Sequence, residues 1–86
     1  MDLGTTYGMH QVEVFHCRCF DDAQTIARAV RERRTVVLQL DQIPPSEAQR
    51  VVDFVSGAVH ALEGRCERLG VTTFLFAPSG VVLSSI

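Results

Sequence analysis

The stretch Thr35–Gly64, TVVLQLDQIPPSEAQRVVDFVSGAVHALEG, decides the fold. It opens with TVVLQL (35–40), β-branched and nearly all apolar, the pattern of a strand central in a sheet or covered on both faces. DQIPP then turns the chain. From Ser46 onward the period becomes helical: Ala48, Val51, Val52, Val55, Val59 and Leu62 collect on one side at about 100° per residue. Ser46 is the expected cap, with Gln49 three positions later as its capping-box partner, and the helix is predicted to end near Leu62, before Gly64.

That apolar stripe is enough to dock the helix on a sheet, which leaves Phe54 and Gly57 to be explained. Gln49, Asp53, Ser56, His60 and Glu63 form the opposite, solvated side, whereas Arg50, Phe54, Gly57 and Ala61 line a flank between the two. A glycine inside a helix costs roughly 1 kcal/mol against alanine, and beside a small residue it lets another backbone come close. The flank either packs on the preceding helix, or meets a second copy, or forms a groove for a partner peptide.

Working outward, QVEVFHC (11–17) alternates at period two around Val12 and Val14 and is predicted to be a strand. In FDDAQTIARAVRER (20–33), Ala23, Ile26, Ala27 and Val30 recur at helical spacing, with Asp21 or Asp22 placed to cap the first turn. After Gly64 come RCERLG, VTTFLFAP and GVVLSS, short β-rich pieces separated by Gly70 and by the Pro78–Gly80 turn. The order is β-α-β-α-β-β-β. It predicts an α/β two-layer sandwich, two helices on one face of a roughly five-stranded mixed sheet whose first two strands run parallel through a right-handed crossover. Residues 1–10 carry no amphipathic period and are expected to be a flexible tail or an expression remnant, with the folded domain spanning 11–86.

Eighty-six residues, 47% apolar and 21% charged, describe one globular domain. A chain this short buries only about 60–65% of its unfolded surface, so a self-association partner would help it. The net charge of −2 does not favour phosphate backbones, and nucleic acid is not an expected partner. All eight basic residues are arginines, and Arg28, Arg31, Arg33 and Arg34 fall at one helix end, where they complement the helix dipole. No run approaches the roughly 20 apolar residues of a membrane span. The odd count of three cysteines fits a reducing cytoplasm.

His16, Cys17, Cys19 and Cys66 have the chemistry of zinc ligands without a spacing that specifies a site, so they are expected to be structural and no metal or cofactor is assigned. No nucleophile–base pair or Gly-rich phosphate loop is present. Asp53 and His60 share a helix side but stand about two turns apart, so no catalytic residues are assigned.

The runs CRCFDDAQTIARAVRERRTVVLQL (17–40), RVVDFVSGAVHALEG (50–64) and FLFAP (74–78) together resemble the core domain of SepF, a family of bacterial cell-division proteins. The resemblance extends from Val12 to Ser85, and VVDFVSG is its most specific part. It implies a non-enzymatic factor of septum assembly, acting in the cytoplasm at the division site. Such a factor forms homodimers and higher polymers and binds the C-terminal tail of the tubulin-like protein FtsZ. By position, Gly57 falls in the family's helix-mediated self-contact, with Phe54 and Ala61 beside it, and Arg50 and Phe54 are placed to meet the FtsZ tail. The sequence departs from the family at Gln39, where asparagine is common, and at His60, where tyrosine is. The family's amphipathic N-terminal helix is not seen before the first strand, so direct membrane contact by this chain is not expected. Without the resemblance, a small-molecule-binding regulatory α/β domain would be the alternative, since fold alone does not select function.

Overall fold

A computed structural model of the protein describes residues 12–80. The expected tail at 1–10 lies outside them, as does all but the first residue of the expected fifth strand, GVVLSS. The elements are β1 (Val12–His16), α1 (Asp22–Arg31), β2 (Thr35–Gln39), α2 (Pro45–Ala61), β3 (Arg65–Arg68) and β4 (Thr73–Ala77). Among the described residues the sheet has four strands in the order β1-β2-β4-β3. β1 and β2 are parallel, with Val14 opposite Val37, and β4 runs antiparallel between β2 and β3. This is the expected two-layer architecture with a mixed sheet, and β2 is central as its composition demanded.

Register decides which side of each strand meets the helices. Val36 and Leu38 of β2 and Phe76 of β4 are fully buried, and they pack with Ile26 and Val30 of α1 and Val51, Val55 and Val59 of α2. Each such side chain contributes about 1.5–3 kcal/mol on burial. The other sheet face carries Val37 and Leu75 opposite one another, half-buried, beside Val12 and Val14 at 59% and 57% exposure. The alternation of β1 thus marks a strand, but its valines point away from the helices. Glu13 and Phe15 take the inner side, and Glu13 is held there by Arg34 at 3.1 Å.

The helix starts differ from expectation. Ser46 does not cap α2: Pro44 holds the N-cap position at φ −62°, ψ 148° with no side-chain bond, and Pro45 opens the helix. Proline is suited there because its fixed φ is helical and its missing N–H would have had no partner. Gln49, freed from the capping role, donates from Nε2 to Asp53 Oδ1 at 2.8 Å. At α1, Asp21 holds the N-cap position without a side-chain bond, while Asp22 Oδ2 accepts from Arg18 N–H at 2.9 Å and ties down the loop after β1.

Both helices end in the same way. In each, the residue two after the last helical position is left-handed, Arg33 at φ 67° and Glu63 at φ 60°. The following amide donates back into the last turn, Arg34 to the Ala29 carbonyl at 3.1 Å and Gly64 to the Val59 carbonyl at 2.8 Å. This is the Schellman pattern with a charged residue where glycine is usual. A non-glycine residue pays about 1 kcal/mol or more for that conformation. Glu63→Gly is therefore expected to raise stability by roughly 0.5–1 kcal/mol, read as a higher urea midpoint at unchanged slope; an unchanged or lower midpoint would refute it.

Candidate interaction surface

α2 presents three stripes. The inner one, Val51, Val52, Val55 and Val59, is buried against the sheet. The second is the flank carrying Arg50, Phe54, Gly57 and Ala61, and all four are exposed. Phe54 stays 43% exposed although its ring meets Phe20 edge-on, with centroids 5.8 Å apart and planes at 67°. Arg50 lies over the same ring, its Cζ 5.0 Å from the centroid. Phe20 is therefore the residue that gathers this flank, and sequence reasoning missed it. It sits in the loop before α1, where Glu47 of α2 accepts its backbone N–H at 3.1 Å. A Cβ added at Gly57 would meet nothing within 4 Å.

The packing reading of the flank is thus half met. Phe54 does touch the segment leading into α1, yet a side chain at Gly57 would meet open space and Ala61 is exposed, so a strip of small residues runs on from an exposed aromatic ring. Of the side expected to be solvated, Ser56 departs: it is half-buried. Asp53 is engaged by Gln49.

On the far side of α2 from Phe54 lies a groove of about 450 Å³ between the helix and the β3–β4 turn. Its floor is apolar, made by Leu40, Ile43, Val52 and Phe74, with Ala48 and Pro45 along one wall. The other wall is the turn, shaped by Arg68. That guanidinium donates from Nε to the Gly70 carbonyl and from Nη2 to the Val71 carbonyl, each at 3.0 Å, and lies 5.4 Å from the Phe74 centroid. Held this way, the turn presents Val71 at 82% exposure beside the groove. The sequence offered one signal for it: apolar residues on both sides of Gly70, in a turn where polar ones are usual.

The thiols are free and dispersed. Cys17 is buried and donates to the Cys19 carbonyl at 3.3 Å. Burial, reinforced by Asp22, pushes its thiol pKa up; burial likewise raises that of Cys66. Neutral thiols are poor nucleophiles and poor ligands. Among the described residues no group of His, Cys, Asp and Glu is placed to hold a metal ion, and no helix is long and apolar enough to cross a membrane. Of the α1-end arginines, Arg33 donates to the Ser79 carbonyl at 3.1 Å, and Arg34 pairs with Glu13 and with Glu32 at 3.4 Å.

Comparison with known proteins gives a consistent result. The family model described as cell division protein SepF matches residues 12–83. The SepF of Gloeothece citriformis is 42% identical over 83 residues, covering 96% of this chain and 43% of that protein. That of Trichodesmium erythraeum is 47% identical over 78 residues, covering 91% of this chain and 37% of that protein. The chain therefore spans less than half the length of these curated relatives. Among solved structures, a SepF-like protein from Archaeoglobus fulgidus superposes with a TM-score of 0.78 at 17% identity, over 86% of this chain and 92% of that one. The SepF of Methanobrevibacter smithii, in complex with FtsZ-CTD, does so at 0.68 and 14% identity, over 90% of this chain and all of that one. At such identities these two establish a shared fold.

Proposed function

The chain belongs to the SepF family of cell division proteins, and from that premise we propose that it is a non-enzymatic septum-assembly factor. It self-associates through the Phe54–Gly57–Ala61 flank and binds the C-terminal tail of FtsZ, in the cytoplasm at the division site. One observation carries this: α2 keeps more apolar surface outside than its docking on the sheet requires, with Phe54 at 43% exposure and open space over Gly57. Exposed aromatic and small residues in a row suit close contact with a second backbone. Arg50 and Phe54, which meet on Phe20, supply a guanidinium and a ring side by side for the tail, a pairing enriched at binding hot spots.

A second placement of the tail is supported by the groove, which is the concave apolar surface that an extended peptide needs. The two placements separate cleanly because they lie on opposite sides of α2. Calorimetric titration with the C-terminal tail peptide of FtsZ from the same organism is the test, using Phe54→Ala, Arg50→Glu and Val71→Asp proteins. Loss of a hot-spot side chain should weaken binding about 30-fold, the equivalent of 2 kcal/mol. Weakening by Phe54→Ala and Arg50→Glu alone places the tail at the flank; weakening by Val71→Asp alone places it in the groove. No heat and no competition with wild-type protein would overturn tail binding itself.

A further inference from the structure

We propose that the β3–β4 turn docks into the groove of a second copy, each chain laying its Val71 on the other's apolar floor. The turn is apolar and rigid. Leu69 is 58% exposed, and Val71, at 82%, is the most exposed large apolar side chain among the described residues. Arg68 holds the Gly70 and Val71 carbonyls, the Leu69 and Gly70 N–H groups donate to the Thr73 carbonyl at 2.9 and 3.2 Å, and the Thr72 carbonyl accepts from Leu40 N–H at 2.8 Å. A tip fixed in this way loses little further freedom on docking. The hollow that fits it lies beside it, and the two share a wall. Two copies related by a two-fold axis at that wall can therefore each supply projection and hollow at once.

The charges around the groove favour a copy of this chain over other occupants. Arg68 uses two of its five N–H donors within the turn and keeps its charge and the other three. Asp41 lines the same groove, is exposed, and has no hydrogen-bond or ion-pair partner among the described residues. An occupant of one sign gains from one of these groups and is repelled by the other. A second copy carries both, and the axis that exchanges the projections can set each Asp41 against the other copy's Arg68. The contact is small and so weaker than a standard interface. It does not depend on the flank contact or on where the FtsZ tail binds. Flank and groove lie on opposite sides of α2, so a chain using both has two neighbours, and alternating contacts build an open row of copies where one contact alone closes a dimer.

Sedimentation velocity of Gly57→Lys protein, which lacks the proposed flank contact, isolates the turn contact at concentrations up to about 1 mM. A reversible monomer–dimer equilibrium is expected there. Val71→Asp in this background should weaken it about 30-fold, and Asp41→Asn about two- to five-fold at low salt, with less effect at high salt. Circular dichroism should be unchanged, since both side chains are exposed. Ala48→Lys obstructs the hollow instead of the projection and should also leave monomers. Mixing the Val71→Asp and Ala48→Lys chains should restore dimers, because one half of the contact is then native and the other sets the new carboxylate against the new ammonium. Three results overturn the proposal: no dimer of Gly57→Lys protein in that range, which leaves the groove to a peptide; dimers that Val71→Asp leaves unchanged; or folded chains whose mixture stays monomeric. Dimers that Asp41→Asn leaves unchanged remove the charge pairing that favours a second copy.

Discussion

Gly64→Ala is expected to lower the thermal midpoint by roughly 10–20 °C, from a loss of about 2–3 kcal/mol in a domain of this size. Gly64 follows the left-handed Glu63 at the end of α2, so backbone freedom is not what requires a glycine there. The requirement is steric. A Cβ would run into the Ala77 carbonyl oxygen and approach Val59 Cγ1 to 2.8 Å and the Val59 carbonyl to 3.3 Å. Val59 is fully buried, and Ala77 is paired with Arg65 across the β3–β4 ladder. Neither can retreat without disturbing the core or the sheet. Gly70→Ala is the control, since its added Cβ would come no closer than 3.9 Å to Thr73. Circular dichroism melts of the two variants decide the point: equal midpoints would refute it.

Gly57→Lys should have the opposite character, leaving the fold intact while abolishing the proposed self-contact. Open space surrounds the site, and replacing a helical glycine gains roughly 0.5–1 kcal/mol of propensity, so a monomer should be at least as stable as before. A long charged side chain in the middle of a close helix contact would be desolvated without a partner, which a dimer of this kind does not tolerate. Sedimentation velocity should show wild-type dimer and variant monomer at the same concentration, with unchanged circular dichroism. A folded variant that remains dimeric would remove α2 from the interface and move attention to the open sheet face of Val12, Val14, Val37 and Leu75.

The architecture was legible because its largest signals are periodic. TVVLQL and the valines of α2 bury their apolar atoms at the periods of a strand and a helix, and no tertiary detail is needed to see it. Caps were less legible: PPSEAQ carries both a proline start and a serine capping box, and the prolines prevail because their geometry is set before any hydrogen bond forms. The alternation of β1 reveals a strand but not which side faces inward, since Val12 and Val14 suit the core as well as Phe15, which is the residue that packs against it. The site divides likewise. Helical angles alone group Phe54 and Gly57 on one flank of α2 and leave open whether the preceding helix covers it. The role of Phe20 could not be inferred, because it depends on a loop folding back onto a helix that begins many residues later, and the groove is assembled from segments that no local pattern links.

Sheet order and chain order disagree at one strand. β4, the last of the described strands to be synthesised, lies between β2 and β3 and is hydrogen bonded to both. While a ribosome is making this chain, everything up to Gly70 can emerge with both helices formed, yet β3 has no edge to join and β2 is paired on one side only. At about 5–20 residues per second this interval is brief in normal translation. A stalled or prematurely terminated product lengthens it without limit. Such a product lacks Phe76, and with it a fully buried ring of the core. The strand in the middle of the sheet is thus the one whose loss leaves β2 with an open edge, β3 without its ladder partner and the core without its largest ring.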